Sequence, residues 1–463
     1  MEVKNSLFRK VRSDNSGLIP AFQFISLICK KYNMRYTPIH HYLFSKNRQK
    51  LARNIPSHAI AIVFSNDEIP RTADQFFPFR QNSDLFYLTG IEQPKTILCL
   101  APEAHLSNYR EILFIENTNE HHKTWTGNKL SKEKASEISG IANIYWLDEF
   151  ENILSDLMQQ ARQVYLSFHE NTRTFDEVPL RDIRYAEKIR SIFPLHHYER
   201  LSPLMAELRQ IKEPEEIEQI KKAIHITEET FTALLKSTKP GLFEFEMEAE
   251  IISNFIKKGA SGHAFQPIVA AGANACILHY TDNNTICKEN ELLLIDFGAE
   301  YGNYNADVTR TIPINGKFTP RQRKVYEAVL RLHDRAVSMM LPGTSLEKVN
   351  LNLVPYFEKE LLDLQLLTKQ EINAENPEKP AYKKYFMHGI GHFLGLDVHD
   401  VGAKQDKFVE GMVITCEPGI YIQEEGIGIR LENNILITKN GNINLTVEIP
   451  IEPDEIEELM YRD

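Results

Sequence analysis

Cysteine is scarce in this chain of 463 residues, and its spacing excludes some classes of protein. The five cysteines form no CxxC pair and lie far apart, at Cys29, Cys99, Cys276, Cys287 and Cys416. Small secreted domains depend on a dense framework of paired cysteines, which this odd and scattered set does not provide. The sequence therefore predicts a protein of the reducing cytoplasm.

Two further absences concern partners. The chain has no block of five or six consecutive basic residues, and its 53 basic and 64 acidic side chains give a net charge of −11. Nucleic acid is therefore not an expected partner. No apolar run reaches the roughly 18 residues that a membrane-spanning helix needs, so no membrane association is expected.

The composition, with 42% hydrophobic and 25% charged residues, is that of a globular protein long enough for two or three domains.

The first 33 residues differ from the rest of the chain. Arg9, Lys10 and Arg12 precede a mildly apolar run, 18-LIPAFQFISLIC-29, and this order loosely resembles a targeting presequence. However, Pro20 interrupts the run, lysines follow it at once, and no A-x-A cleavage site is present. We predict a poorly packed N-terminal extension over residues 1–33.

The pattern from residue 34 to about residue 207 predicts an α/β domain. Short apolar runs typical of strands alternate there with polar and helix-like stretches. These runs are AIAIVF (59–64), TILCL (96–100), EILFI (111–115) and VYLSF (164–168).

A second domain is predicted over residues 208–463. Apolar residues recur at helical spacing from 208 to 237, where Pro214 stands at a predicted first helical turn, so a long helix is expected to open this domain. Helices and strand-rich ribbons then alternate twice, with helices at 244–258 and 319–341 and ribbons at 286–314 and 395–450. This duplication predicts an internally pseudosymmetric domain.

Each ribbon carries two carboxylates in or next to apolar strands. In the first, Asp296 ends an apolar strand and Asp307 enters the return strand, so a hairpin would bring them face to face, although aspartates also commonly begin turns. In the second, Glu417 follows VITC and Glu432 lies within IRLENNILI. A charge there is costly unless it is paired or binds a metal, and Arg430 offers an ordinary salt bridge to Glu432 as the alternative.

The segment 388-HGIGHFLGLDVHD-400 adds three histidines, His388, His392 and His399. Its HxxxH spacing resembles a metal site, but the interspersed glycines disfavour a helix, and the zinc-protease motif HExxH would require Glu where Gly389 stands. At most one of the first two histidines therefore needs to bind a metal.

Four carboxylates and one imidazole would form a hard, oxygen-rich site. Such a site suits Mn²⁺ and tolerates Co²⁺ or Zn²⁺. Four negative charges balance two divalent cations, so we expect a dinuclear site with ions roughly 3.5 Å apart.

The combined motifs resemble aminopeptidase P, the Xaa-Pro aminopeptidases of the creatinase, prolidase and methionine aminopeptidase superfamily. The resemblance rests on LLLIDFGAEYGNYNADVTRT, HGIGHFLGLDVHD, ITCEPGIYI and GIGIRLENN, and also on AGANACILHYTDNN (271–284) and PFRQNSDLFYLTGIEQP (78–94). It covers about residues 34–463. It implies a two-domain α/β architecture, a creatinase-type N-terminal domain followed by a pita-bread catalytic domain.

The resemblance also implies roles for individual residues. The five ligands of the two ions would be Asp296, Asp307, His392, Glu417 and Glu432. Asp307 and Glu432 would bridge the ions, Asp296 would hold one ion, and His392 and Glu417 would hold the other. The cleft would be lined by His279, His388 and His399, and supported by Tyr421 and Arg430. Asp397 and Asp400 are then expected to be structural.

The activity implied is hydrolysis of the N-terminal Xaa-Pro bond by a hydroxide that two metal ions activate. Glu417 would accept the proton of the attacking water. His388 and His399 would donate hydrogen bonds to the oxyanion and help to protonate the departing proline nitrogen. His279 would lie near the leaving group.

Two alternatives stay open at the level of sequence. A prolidase, which cleaves only Xaa-Pro dipeptides, would use the same metal site, and a non-catalytic peptide-binding module could share the fold. A homodimer or homotetramer is expected, because the N-terminal domain forms the subunit contacts in relatives of this kind. There a tryptophan in a W-x-G segment reaches the neighbouring active site; Trp125 could do so here or could be an ordinary surface residue.

Overall fold

The computed structural model describes residues 36–168, 170, 178–374 and 380–461, without the side chain of His122. The predicted extension over 1–33 lies outside these residues. The described residues from Ile39 onward belong to one compact unit that includes both predicted domains. Within the described part, we find no helix of the length and apolar character needed to cross a membrane.

A mixed six-stranded sheet forms the centre of the first domain, in the order β6-β5-β4-β1-β7-β8. The strands of this domain are β1 Ala59–Phe64, β2 Pro70–Thr72, β3 Gln75–Phe76, β4 Ile97–Leu100, β5 Glu111–Ile115, β6 Asn143–Trp146, β7 Gln163–Leu166 and β8 His197–Arg200. All six residues of β1 are buried, which agrees with its unbroken apolar sequence, because a central strand covered on both faces has no solvent side. The predicted strands at 59–64 and 111–115 are confirmed, whereas β7 ends two residues before the predicted strand does.

Seven helices accompany this sheet within the described residues. They are α1 Tyr42–Asn54, α2 Ser83–Thr89, α3 Glu120–Trp125, α4 Lys132–Ser139, α5 Phe150–Met158, α6 Arg181–Ile192 and α7 Ser202–Gln210. The segment 78–94, one of those that carry the family resemblance, contains helix α2. The Asn82 side chain accepts a hydrogen bond from the Leu85 amide at the start of this helix, and Gly90 ends it with a φ of 66°.

The long helix expected with Pro214 in its first turn is confirmed, and a separate helix precedes it in the structure. Helix α7 runs across the predicted domain boundary and ends at Gln210, and α8 Pro214–Ser237 begins at the proline. Proline disfavours a helical conformation in the residue before it, and Glu213 is accordingly extended, with a ψ of 158°. Pro214 therefore separates the two helices and starts the second one.

The second domain contains the predicted alternation of helices and ribbons. Its further helices are α9 Glu244–Lys257, α10 Pro320–Met339, α11 Leu346–Asp363, α12 Lys369–Asn373 and α13 Pro453–Met460. Its strands are β9 Gly262–His263, β10 Ile268–Ala271, β11 Leu292–Phe297, β12 Ala299–Tyr301, β13 Tyr304–Asn305, β14 Val308–Pro313, β15 Val413–Cys416, β16 Gly419–Ile422, β17 Ile427–Arg430, β18 Asn433–Thr438 and β19 Gly441–Asn444.

Two antiparallel sheets position the carboxylates. One has the order β10-β11-β14 and the other β15-β18-β19, with β16 and β17 paired beside them. The second ribbon was predicted from residue 395, but its first strand begins at Val413. Residues 388–412 contain no helix, as the glycines of this segment indicated.

Candidate metal centre

The first ribbon brings Asp296 and Asp307 to one place. Asp296 lies near the end of β11, directly opposite Thr309 of β14, and Asp307 immediately precedes β14. The short strands β12 and β13 fill the turn between them. Gly298 is needed there, because a Cβ at this position would lie 1.8 Å from the carbonyl oxygen of Ala306.

The second ribbon joins the first through its backbone. Glu417 directly follows β15, and Glu432 lies between β17 and β18. The Glu432 amide donates a hydrogen bond to the carbonyl oxygen of Thr309 at 3.0 Å, and the hydroxyl of Thr309 donates to Oε2 of Glu432 at 2.7 Å. Thr309 therefore fixes Glu432 beside the first ribbon.

The histidine segment is held against β15 by close backbone contact. A Cβ on Gly391 would lie 2.1 Å from the carbonyl oxygen of Thr415, so only glycine permits this approach. The His392 amide donates to the hydroxyl of Thr415 at 3.0 Å. Nδ1 of His392 lies 2.9 Å from the carbonyl oxygen of Phe393, an arrangement that leaves Nε2 as the nitrogen that could bind a metal ion.

Nε2 of His392 faces the carboxylates. It lies 3.3 Å from Oδ2 of Asp307 and 3.9 Å from Oε1 of Glu417. One ligating atom each from Asp307, His392 and Glu432 lie within 4.8 Å of one another. The structure thus gathers, in one cluster, four residues that the sequence placed on two ribbons and a loop.

The carboxylates are crowded and poorly compensated by protein groups. Burial, followed by the negative charges of Asp296 and Glu417, raises the pKa of Asp307 well above its usual range. Burial and the charge of Asp307 do the same to the pKa of Glu432. Oδ1 of Asp296 is buried and has no hydrogen-bond partner within the described residues. An orphaned carboxylate oxygen beside mutually repelling acids is the donor set that divalent cations fit.

Arg430 does not form the ion pair with Glu432 that the sequence offered as the alternative. Its guanidinium donates instead to Oδ2 of Asp296 at 2.7 Å and to the hydroxyl of Thr309 at 3.1 Å. Among the described residues, no arginine forms an ion pair with the Glu432 carboxylate, and of the Glu432 oxygens Arg310 donates only to the carbonyl, at 2.7 Å. That alternative is wrong because the two side chains reach different partners.

A hydrogen-bonded chain connects Arg430 to His388. Arg430 donates to the Tyr421 hydroxyl at 3.0 Å, and that hydroxyl lies 2.7 Å from Nε2 of His388. Nδ1 of His388 lies 2.8 Å from the carbonyl oxygen of Gly389, so this nitrogen carries the proton and Nε2 accepts from Tyr421. Burial, and then the charge of Arg430, lowers the pKa of His388 to about 3. His388 is therefore a neutral ring with both nitrogens engaged, and it can donate to a substrate only by releasing one partner.

The two remaining histidines lie at the open side of the cluster. His399 is exposed, and its ring meets that of His392 edge to face with centroids 4.2 Å apart. His279 is exposed in the loop after residues 272–276, and its charge contributes to the lowered pKa of His388. Both imidazoles are therefore accessible to a molecule that enters from solvent.

Asp397 and Asp400 bind cationic side chains. Arg209 donates to both carboxylates at 2.6 Å, Lys212 contacts Asp400 at 3.0 Å, and the Ser83 hydroxyl donates to Asp397 at 2.6 Å. These contacts anchor the histidine segment to α2 and α7. The structural role expected for the two aspartates agrees with this arrangement.

Thr309 is a site residue that the sequence reasoning missed. It contacts Glu432 and Arg430 through its side chain and pairs with Asp296 through the strand register. Alternation along the return strand could have identified it, because Asp307, Thr309 and Thr311 fall on one face.

Comparisons with known proteins agree with this architecture. Residues 218–439 match metallopeptidase family M24, and residues 44–165 match the aminopeptidase P N-terminal domain. The Xaa-Pro aminopeptidase of Haemophilus influenzae is 35% identical over 429 residues, which are 90% of this chain and 96% of that protein. The human Xaa-Pro aminopeptidase 3 is 30% identical over 92% of this chain and 85% of its own length.

Solved structures give the same result. A structure of Escherichia coli aminopeptidase P in complex with substrate superposes with a TM-score of 0.82 at 34% identity, covering 91% of this chain and 98% of that one. The Pseudomonas aeruginosa aminopeptidase PepP has a TM-score of 0.84 at 31% identity, with the same coverage. The chain therefore belongs to the aminopeptidase P family of M24 metallopeptidases, with the two-domain architecture that its sequence predicted.

Proposed function

We propose that this protein is a dinuclear metal-dependent aminopeptidase that hydrolyses the bond between an N-terminal residue and a following proline. The observation that carries the proposal is the convergence of Asp307, His392 and Glu432 beside the orphaned oxygen of Asp296, in a chain related to named Xaa-Pro aminopeptidases. A prolidase activity is not favoured, because the relatives compared above carry the aminopeptidase name.

The two ions would be held by the five ligands that the family resemblance implies: Asp296, Asp307, His392, Glu417 and Glu432. When bound, the ions lower the pKa of a water molecule and polarise the carbonyl group of the scissile bond. Because four of the five ligands are carboxylates, we propose Mn²⁺ as the native ion, with Co²⁺ or Zn²⁺ as substitutes.

Glu417 and the neighbouring histidines would accept and donate protons during hydrolysis. Glu417 is half-buried, and its Oε1 lies 3.9 Å from Nε2 of His392 while its Oε2 lies 3.7 Å from Nδ1 of His388, so the carboxylate lies near both imidazoles. It would accept a proton from the attacking water. His399 is exposed next to His392 and would donate to the oxyanion.

His388 would act chiefly through its neighbours before substrate binds. Its Nε2 holds the Tyr421 hydroxyl, and Tyr421 in turn accepts from Arg430, which orients Asp296. If a substrate oxygen replaced the Gly389 carbonyl as the hydrogen-bond acceptor, the Nδ1–H group of His388 would donate to the substrate. His279, on the same open side, would face the departing proline.

The substrate class follows from the chemistry of the bond. An Xaa-Pro bond is a tertiary amide without N–H, so a protease cleft that depends on this donor cannot hold it, and a dedicated site is needed. The positively charged N-terminal amine of the peptide would be attracted to the unpaired oxygen of Asp296. Peptides with proline at the second position are therefore the proposed substrates.

We further propose a homodimer or homotetramer that acts in the cytoplasm. Trp125 at the end of α3 is 75% exposed, so it is available for a subunit contact through the N-terminal domain. The four cysteines among the described residues are all unpaired, as expected for a reducing compartment. Light scattering of the purified protein tests the oligomeric state.

A peptide panel tests the proposed activity. Xaa-Pro, Xaa-Pro-Xaa and Xaa-Ala-Xaa peptides are assayed with Mn²⁺, Co²⁺ and Zn²⁺, and we expect cleavage of Xaa-Pro-Xaa, strongest with Mn²⁺. Glu417→Ala should abolish turnover, whereas Glu424→Ala, an exposed acid outside the cluster, should not. Hydrolysis of dipeptides alone would favour prolidase, and no hydrolysis together with well under one bound ion per chain would favour a non-catalytic module.

A further inference from the structure

A cleft of about 300 Å³ is lined by His388 and Gly389 at one end of the histidine segment. Leu351 and Val354 of α11 and Met387 give it an apolar lining. Lys383 and Lys404 also line it. The cleft therefore combines an apolar surface with two ammonium groups at the edge of the active site.

Neither lysine of the cleft has a counter-ion among the described residues. The Lys383 ammonium donates to the carbonyl oxygen of His388 at 3.2 Å and lies 5.5 Å from the centre of the Phe386 ring. Within the described part of the chain, no carboxylate lies at ion-pair distance from Lys383 or Lys404, whereas the adjacent Lys384 pairs with Glu424. Burial, together with the charge of Lys404, lowers the pKa of Lys383. Two neighbouring positive charges without a partner form a site for an anion.

We infer that this cleft binds a carboxylate in the part of the peptide that follows the proline. The inference rests on the proposed function and names a preference within it. The positively charged N-terminal amine would be repelled by Lys383 and Lys404, so the opposite end of the peptide is the part that occupies the cleft. A glutamate side chain after proline, or the C-terminal carboxylate of a tripeptide, supplies the required charge, and the methylene groups fit the apolar lining.

Tripeptide pairs that differ in one charge test the inference. Ala-Pro-Glu-amide is compared with Ala-Pro-Gln-amide for the side-chain carboxylate, and Ala-Pro-Gln with Ala-Pro-Gln-amide for the terminal one. We expect kcat/KM to favour at least one acidic member by about fivefold to tenfold at low salt, and the preference to shrink at 1 M salt. The arm that shows the preference identifies which carboxylate is bound.

Variants locate the preference. Lys383→Met and Lys404→Met should each reduce the ratio of acidic to neutral kcat/KM, and the double variant should bring it close to one. Lys384→Met is the matched control, because Lys384 is the next residue along the chain and is already paired with Glu424. It should keep the wild-type ratio. A wild-type ratio near one, or a double variant that retains the preference, overturns the inference.

A binding measurement separates this inference from the proposed activity. Titration calorimetry with Pro-Glu-amide and Pro-Gln-amide needs no turnover, and the acidic peptide should bind about fivefold more tightly to the wild type than to the double variant. Failure of the proposed function appears as no cleavage of any Xaa-Pro peptide. Pro-Gln and Pro-Gln-amide are compared in the same way for the terminal carboxylate. Failure of the carboxylate site appears as equal binding within both pairs, whether or not cleavage occurs.

Discussion

Arg209 provides the sharpest stability prediction, because its guanidinium is 5% exposed and bonded to three aspartates. It contacts Asp84 at 2.7 Å and Asp397 and Asp400 at 2.6 Å each. If the arginine were removed, Asp400 would still form its ion pair with Lys212, but Asp84 would lose the cation with which it forms an ion pair. Burial already raises the pKa of Asp84 with Arg209 present.

Arg209→Met should therefore cost about 3–5 kcal/mol of unfolding free energy, the range for leaving buried charges unpaired. Lys134→Met, which breaks an exposed ion pair with Glu137, is the control and should cost less than about 1 kcal/mol. Urea unfolding measures both. Both tryptophans of the chain, Trp125 and Trp146, lie in the first domain, so fluorescence follows that domain while far-ultraviolet circular dichroism follows the whole chain.

The pH dependence of the Arg209→Met defect gives an independent check. Without the arginine, the folded-state pKa of Asp84, which burial already raises, should rise further above the unfolded value, so the stabilisation by protonated Asp84 is lost as pH rises through the folded pKa. The loss of unfolding free energy caused by Arg209→Met should thus be larger at pH 8 than at pH 5. Because the other two aspartates anchor the segment that carries His392 and His399, kcat should fall as well. A loss below 1 kcal/mol, or a defect that grows on acidification, would refute this account of the cluster.

Three other predictions concern the metal site and the helix that opens the second domain. Thr309→Val removes the hydroxyl that orients Glu432, and it should weaken Mn²⁺ binding by about tenfold to a hundredfold in calorimetry; unchanged affinity would contradict that role. Gly391→Ala places a Cβ against the Thr415 carbonyl, so it should lower the melting temperature and metal content together, and a fully metal-loaded variant would argue against it. Burial raises the pKa of Glu216 from 4.5 to about 7, so its stabilisation is present below pH 4.5 and lost as pH rises through 7. Relative to Glu216→Gln, the wild type should thus lose stability between those pH values in urea titrations, and a constant difference would show that Glu216 does not titrate there.

Most helices and strands could be predicted from the sequence, because the apolar runs, glycines and prolines that indicate an element lie within or next to it. Unbroken apolar runs indicated β1 and β5, and the glycines indicated a helix-free histidine segment. Pro214 was predicted in the first turn of the long helix and begins α8, because a proline at that position gives up no intrahelical hydrogen bond.

The residue types of the site can be read from the amino-acid sequence: hard carboxylate donors, candidate imidazole ligands and the family's motifs in the right order. Which of these groups meet depends on the tertiary structure. Arg430 is two residues from Glu432 yet binds Asp296, and Thr309 joins the ribbons through a hydrogen bond to a residue 123 positions away. The two lysines of the cleft, Lys383 and Lys404, likewise come together from separate segments. Side-chain partners across strands and loops depend on register and packing between distant segments, and these are fixed by the burial of the whole core rather than by neighbouring residues.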